Sequence, residues 1–413
     1  MTLLSLSSQA LANDGNMETI TVTGSYFNDY KVDNASGATR TNTSLLETAQ
    51  AVTVIPEIII DEQLATTLGE VLANDASLSA GSTQRNREVF NSRGFTLSSS
   101  TGYLRDGHQH WSHYQQPIET LSRVEVIKGP SSILYGQSAP GGLINMVTKQ
   151  PIATGLFDLS ADIDQNGSSR FMLDAAGALV EDLSFRSVLV KQDVTYSREY
   201  QNGEQRERDR FLGSLALNYL VSDNLSINLY YDQTQDKAGL DTGAWLDANG
   251  KVIGDDKTIY DFAWAFTDIP HWTLKFGYNQ QTFERQRFES SPKKPADYQL
   301  GDSYTSKPYD RFDDWQFKTA YLDLTGEFSL AGIEHNVLLG VNSLDYYYGQ
   351  LRVLAPAQQY TPGQTPLSKP NIHYATDDSL YNSEYDYYGV YFQDLITLHH
   401  HWQVVLGGRF DQQ

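Results

Sequence analysis

The densest run of chemically capable side chains is Asp106-Gly-His-Gln-His-Trp-Ser-His-Tyr114, which brings His108, His110 and His113 close together in sequence. Imidazoles so spaced are a candidate ligand set for a transition metal. No carboxylate pair, nucleophile elbow or phosphate-binding glycine loop accompanies them, so nothing here assembles an enzyme active site. The run reads as a polar, aromatic loop, and no metal site is assigned to it. A second imidazole run, His399-His-His401, sits between two strand-like segments and reads as a solvated turn.

Whatever positions these residues must be built from an acidic chain. Lys+Arg 30 against Asp+Glu 51 gives a formal net charge of −21, and the carboxylates are dispersed. Nucleic-acid binding is therefore disfavoured, because phosphate neutralisation needs a basic face. Cysteine is absent, so there is no disulfide framework and no thiolate metal site. No apolar run approaches the ~20 residues of a membrane helix. A transmembrane β-barrel remains compatible with the mean hydropathy of −0.44, because strands that alternate lipid-facing with lumen-facing residues dilute their hydropathy. Residues 1–12 end in Ala10-Leu-Ala12, a small-x-small pattern like a signal-peptidase site, and read as the tail of a secretory signal without its basic start.

Three zones follow. Residues 13–43 are polar and read as a tether. Residues 44–151 mix signals of both kinds: a strand at Ala51–Ile55 before Pro56, a short helix over Leu64–Leu72, a strand at Arg123–Ile127 before Gly129-Pro130, and a strand at Leu143–Thr148. That is a compact α+β domain. Residues 152–413 are strands. Phe157, Leu159, Ala161 and Ile163 alternate with polar residues, and Phe211, Leu215, Leu217 and Tyr219 face Leu225, Ile227, Leu229 and Tyr231 across a tight turn. The long polar stretches Gln235–Lys257, Phe283–Asp313 and Gln350–Tyr385 read as functional loops. Short turns on one side and long loops on the other, with aromatics near strand ends, is the pattern of an outer-membrane barrel.

The string Arg123-Val-Glu-Val-Ile-Lys-Gly-Pro-Ser-Ser-Ile-Leu-Tyr-Gly-Gln-Ser-Ala-Pro-Gly-Gly-Leu-Ile-Asn-Met-Val-Thr-Lys-Gln-Pro151 resembles the end of the plug domain of TonB-dependent receptors. Thr53-Val-Ile-Pro56, Leu68-Gly-Glu-Val-Leu72 and Asn91-Ser-Arg-Gly-Phe95 resemble earlier elements of the same plug in the same order. Tyr388-Gly-Val-Tyr-Phe-Gln-Asp394 and Val405-Leu-Gly-Gly-Arg409 resemble barrel segments of siderophore receptors, the ferrichrome-receptor-like branch. In the tether, Glu18-Thr-Ile-Thr-Val-Thr23 resembles the TonB box, and its β-branched residues suit edge-on strand addition.

The resemblance implies an α+β plug followed by an antiparallel transmembrane β-barrel, in the outer membrane of a Gram-negative bacterium. It implies a transporter of ferric siderophores rather than an enzyme, energised when Glu18, Thr19, Ile20, Thr21, Val22 and Thr23 pair with TonB and its inner-membrane complex. Iron would arrive within the siderophore, with no resident cofactor. The His-rich run would form plug loops facing the outer pocket, making His108, His110, Trp111 and Tyr114 ligand contacts. Arg93 falls where related receptors hold a plug arginine near the ligand, and serves equally well as half of an internal ion pair. The same architecture importing haem, cobalamin or a glycan is an alternative, as is a soluble β-rich metal-binding protein. Family barrels have 22 strands, whereas about eleven runs of ~10 residues are legible here, and no terminal aromatic closes the sequence. The expectation is a part of a longer receptor, since half a wall would leave unpaired backbone in hydrocarbon; a small barrel too narrow for its plug is the other reading.

Overall fold

The computed structural model of the protein describes residues 30, 32–40, 43–46, 48, 50–82, 88–199, 205–238, 252–269, 272–293, 303–354, 356–360, 377–399 and 402–413. The signal-like segment 1–12, the run Glu18–Thr23 and the imidazoles of His400 and His401 lie outside these residues.

A short ladder of β1 (Asn34–Ala35) and β2 (Thr43–Ser44) leads into β3 (Ala51–Pro56). Pro56 caps α1 (Glu57–Glu62), which ends where Leu64 takes a left-handed φ of 50°. The next helix, α2 (Leu68–Leu72), starts at a capping box: the Glu70 amide donates to the Thr67 hydroxyl, and the Thr67 amide to the Glu70 carboxylate, both at 3.2 Å. The single helix expected over Leu64–Leu72 is thus shorter, and α1 precedes it. The left-handed Leu64 and the Thr67 cap fix the break.

Strands β4 (Leu78–Ser82), β5 (Val89–Ser92) and β6 (Phe95–Thr96) form a small sheet. Then come β7 (Tyr103–Arg105), β8 (His108–Gln109), β9 (Leu121–Lys128), α3 (Ser132–Tyr135) and β10 (Gly142–Thr148). The central sheet runs β3-β9-β10-β7-β8, with β7 parallel to β10. Two polar residues of the recognisable string bind the sheet together from inside. Glu125 and Asn145 are opposite one another across β9 and β10, both fully buried. Glu125 accepts from the Gly37 amide at 2.8 Å and from Asn145 Nδ2 at 2.9 Å, while Asn145 Oδ1 accepts from the Gly107 amide at 2.9 Å. A buried carboxylate is stable here because donors surround it. Through that pair, the entry segment, β9, β10 and the β7–β8 turn are held as one body. An apolar core of Ile55, Leu68, Val71, Phe90, Val124 and Ile144 fills the space between sheet and helices.

The remainder is one large antiparallel sheet in sequential order: β11 (Leu156–Ile163), β12 (Ser169–Val180), β13 (Leu183–Glu199), β14 (Gln205–Ser222), β15 (Leu225–Ala238), β16 (Val252–Ile269), β17 (Trp272–Lys293), β18 (Tyr304–Leu330), β19 (Ile333–Leu354), β21 (Asp377–His399) and β22 (Trp402–Gln412), with β20 (Gln358–Tyr360) added to β18. Connections at 181–182, 223–224 and 331–332 are tight. Ala331 and Gly332 both have positive φ, 55° and 80°, as a two-residue hairpin turn matching the strand twist requires. The alternate connections span 239–251, 294–302 and 355–376. Phe157, Leu159, Leu215, Leu229, Val390 and Phe392 are exposed on the outer face, a surface made for lipid. Of the polar stretches expected as loops, Phe283–Asp313 is mostly strand, and Gln235–Lys257 and Gln350–Tyr385 carry strand at their described ends. Strand β18 alone has 27 residues and β21 has 23, far beyond the ~10 that a tilted strand needs to cross a bilayer. Past the membrane both faces meet polar surroundings, so no apolar face marks the strand.

Two consequences are measurable. Gly142 has φ 125°, and a Cβ there would lie 2.0 Å from the Ile127 carbonyl oxygen. Gly142→Ala is expected to destabilise the N-terminal domain by about 2–4 kcal/mol, read as a lowered thermal transition and faster proteolysis of that domain. Glu88 is buried, accepting from the amides of Gly69 at 3.0 Å and Gln116 at 3.3 Å. Burial raises its carboxyl to about 7, against those donors and against Arg208 and Arg210. A carboxyl raised on folding holds more protons folded than unfolded, so its contribution is full below about pH 4.5 and is lost as pH rises towards about 7. The slope is at most about 1.4 kcal/mol per pH unit. Thermal unfolding followed from pH 5 to 8 should show this decline, and Glu88→Gln should flatten it.

Candidate ligand-binding site

The sheet curves around the N-terminal domain, and polar bonds join the two. Arg210 on β14 forks onto Glu119 at 2.7 and 3.0 Å. Lys149 bridges Glu57 at 2.7 Å and Asp174 at 2.9 Å, and Arg186 adds a second cation to Asp174 at 2.7 Å. Arg105 pairs with Asp232, and Arg409 donates to the Leu134 carbonyl at 3.0 Å.

Above these contacts, towards the long connections, the His-rich run meets the wall. Gln281 of β17 accepts from the Trp111 amide at 2.8 Å and approaches His110 Nδ1 at 2.9 Å. His110 Nε2 lies 2.9 Å from the Tyr114 hydroxyl and 3.0 Å from Gln116 Oε1. One glutamine therefore sets both the backbone and the imidazole of the loop. Trp111 lies 5.4 Å from the ring of Tyr346 and 5.9 Å from that of Trp315, and Tyr114 stacks on Phe283 at 5.7 Å. Trp315 stacks on Tyr348 at 4.8 Å and Tyr346 on Tyr385 at 4.6 Å. The result is a buried aromatic cluster shared by domain and wall, with Tyr348, Tyr385 and Tyr387 only partly buried at its margin. The buried Trp111 indole N–H has no hydrogen-bond partner among the described residues. A cavity of about 260 Å³, not lined by Trp111, lies between Ser100, Thr101, Gln109 and Gln137 on one side and Leu344, Tyr385, Tyr387 and Asp411 to Gln413 on the other. The rings of Tyr385 and Tyr387, which line the cavity, could stack on a bulky planar or ring-bearing ligand.

The three imidazoles diverge. His108 stacks on Tyr321 and bonds Arg40 at 2.7 Å; burial first, then Arg40 and Lys275, hold its pKa well below the usual value, so it stays neutral. His113 stacks on Trp111 and lies 3.3 Å from Ser99 Oγ. Among the described residues no group of three or more metal-ligating side chains converges. The structure thus brings His110, Trp111 and Tyr114 together and sets His108 deeper, against Arg40. Arg93 stands apart. It is exposed, with φ 51° at the tip of the β5–β6 hairpin, on a separate cleft of about 430 Å³ shared with Lys128, Gly129 and Gln393 towards the tight-turn end. Sequence reasoning missed the wall half of the site: Phe283, Trp315, Phe317, Tyr346, Tyr385 and Tyr387. The alternation Trp315-Gln-Phe317 and Tyr346-Tyr-Tyr348 was the available signal.

Two family models match the chain. The TonB-dependent receptor plug domain covers residues 44–143, and the TonB-dependent receptor-like β-barrel covers residues 202–413. Among characterised relatives, the ferrioxamine receptor of Yersinia enterocolitica is 27% identical over 93% of this chain and 57% of its own length. The metal-pseudopaline receptor of Pseudomonas aeruginosa is 25% identical over 93% of this chain and 56% of its own. The chain thus spans about half the length of the curated relatives it matches. In fold it is similar to the ferripyoverdine receptor of the Pseudomonas aeruginosa outer membrane, with a TM-score of 0.81 at 16% identity over 94% of this chain and 55% of that one. It is also similar to the closed form of the ferric-catecholate import receptor of Escherichia coli K12, with a TM-score of 0.79 at 19% identity over 93% and 59%. The N-terminal domain is therefore a plug, the curved sheet is barrel wall, and the chain belongs to the TonB-dependent receptors of the Gram-negative outer membrane.

Proposed function

We propose that this receptor imports a ferric siderophore, taking energy from TonB through Glu18–Thr23. The observation that carries the reading is the aromatic cluster at the long-connection end of the plug, where Trp111 and Tyr114 meet Phe283, Trp315 and Tyr346 and the partly buried Tyr385 and Tyr387 border a cavity. The relatives support the ligand class, since their names specify ferrioxamine, ferric pyoverdine, metal-pseudopaline and catecholate siderophores. Iron is cargo, carried within the chelate. Packing against rings and hydrogen bonding from Trp111, Tyr114 and the nearby imidazoles suit recognition of the organic shell rather than of the metal.

Inward release poses a separate physical problem. A tightly held ligand does not leave unless energy is supplied, and the outer membrane has no nucleotide pool. Strand addition to the β-branched run Thr19–Thr23 gives a mechanical handle on the plug. The plug's attachment to the wall suits such a handle. Ion pairs such as Arg210–Glu119 and Arg105–Asp232 can exchange partners with water once opened, as dry apolar contact cannot.

Two measurements test the reading. Ile20→Pro removes a backbone donor from the pairing strand, so uptake of radiolabelled ferric chelate by cells carrying the full-length receptor should be abolished with binding unchanged; parental uptake would reject the TonB assignment. Trp111→Ala with Tyr114→Ala should weaken chelate binding by about 1–3 kcal/mol. Unaltered quenching of the remaining tryptophans on titration would remove this surface from the site.

A further inference from the structure

The outward face of the wall carries an ionisable pair among residues that meet lipid. Across β18, β19 and β21, Leu324, Leu339 and Phe392 are register partners in one row, and Gly326, Val337 and Asp394 form the next row towards the tight turns. Leu339 and Phe392 are exposed, so this is the lipid-facing side. Asp394 stands on that side in a row that is otherwise apolar. His335, one pleat nearer the turn on β19, brings its Nδ1 to 2.8 Å from Asp394 Oδ2. The imidazole lies flat on Phe328 at 4.9 Å, and Phe328 on Trp272 at 6.2 Å, so a ladder of three rings leads to the carboxylate. Such rings mark the boundary between hydrocarbon and headgroups, and the tight turns place this boundary at the periplasmic leaflet. The row of Phe328, His335, Ile396 and Val404 and the two rows above it contain no Lys or Arg.

A carboxylate on the lipid side is costly unless it is compensated, and residues that bear such a cost usually serve a purpose. Asp394 is compensated only in part. One oxygen meets His335, while Oδ1 is enclosed and has no hydrogen-bond partner among the described residues, and the side chain is still 21% exposed. The missing positive charge must therefore come from the bilayer. Immediately towards the membrane centre lies an apolar groove of about 720 Å³, lined by Leu324, Leu339, Val341, Val390 and Phe392. An acid at the end of an apolar groove matches a cation at the end of a hydrocarbon chain. We propose that His335, Asp394 and this groove form a binding site for a phospholipid of the periplasmic leaflet whose headgroup carries a primary ammonium. The ammonium donates to the Asp394 carboxylate, which His335 holds in place, and an acyl chain lies along the groove. Anionic headgroups are repelled by the same carboxylate. A quaternary ammonium is attracted by charge but has no N–H to give.

The test uses the full-length receptor in detergent and three phospholipids with identical acyl chains, whose headgroups are ethanolamine, choline and glycerol. Native mass spectrometry counts the lipid retained by the protein. The ethanolamine lipid should be retained at least about five-fold more than the glycerol lipid, with the choline lipid below the ethanolamine one. Asp394→Asn keeps the shape of the side chain and should abolish the preference. Asp394→Lys should turn the preference towards the anionic glycerol lipid, a reversal that misfolding cannot mimic. Asp345→Asn changes a carboxylate that pairs with Lys318 on the same outer face, further towards the long connections, and should leave the preference intact. Equal retention of the three lipids by the parent protein, or a preference untouched by Asp394→Asn, overturns the inference. So does association of receptor copies in place of lipid adducts.

Discussion

The pair Glu119–Arg210 decides how this molecule holds together. Both side chains are within 2% of complete burial, one on the plug and one on the wall. Desolvating two charges costs several kcal/mol each, and their attraction offsets this only when the geometry is good and the remaining hydrogen bonds are made. The two-pronged contact supplies the geometry, while Arg210 Nε is left without a hydrogen-bond partner among the described residues, so the pair fixes the relative position of plug and wall more than it stabilises them. Lys149, bound to Glu57 and Asp174, repeats the logic where the chain passes from plug to wall. The plug's main apolar core, by contrast, is internal: Ile55, Leu68, Val71 and Ile144 all belong to the plug. The plug therefore folds around its own core and is located in the wall by charges together with two apolar contacts, Leu134 and Tyr135 against Leu338 and Tyr391, and Trp111 and Tyr114 against Phe283, Trp315 and Tyr346. Removing one partner from such a pair leaves a buried charge stranded, which makes the attachment specific; opening the interface to water relieves both partners at once, which makes it reversible.

The same division explains what could be read from the sequence. The plug string was legible because its residues answer to local demands. Gly142 must pass Ile127, and Glu125 must meet Asn145, so few other residues fit. Lipid-facing segments such as Phe157–Ile163 were legible because hydrocarbon imposes strict alternation. Strand β18 from Tyr304 to Asp314 was not, since beyond the bilayer neither face needs to be apolar, and it passed for loop. The helix over Leu64–Leu72 came out too long because periodicity cannot see the left-handed turn at Leu64, although the Thr67-x-x-Glu70 box was present in the sequence.

Half of the candidate site was legible for a related reason. Trp111 and Tyr114 stand together in a short run with odd chemistry, whereas Phe283, Trp315 and Tyr346 meet them only through the pairing of β17, β18 and β19. Register is the missing information: a one-residue slip would turn Trp315 to the outer face and bring Asp314 in. Arg287, Arg311 and Arg352 likewise become register neighbours only once three strands are aligned.

The divergence of the three imidazoles carries its own chemical sense. Convergent histidines would offer nitrogen ligands to a metal ion. His108 is held neutral against Arg40 and Tyr321, His110 is occupied by Tyr114, Gln116 and Gln281, and His113 lies flat on Trp111. Each therefore shapes a surface instead of binding an ion. On the proposed reading, rings and hydrogen-bonding side chains would meet the organic shell of a chelate and leave its metal bonds intact.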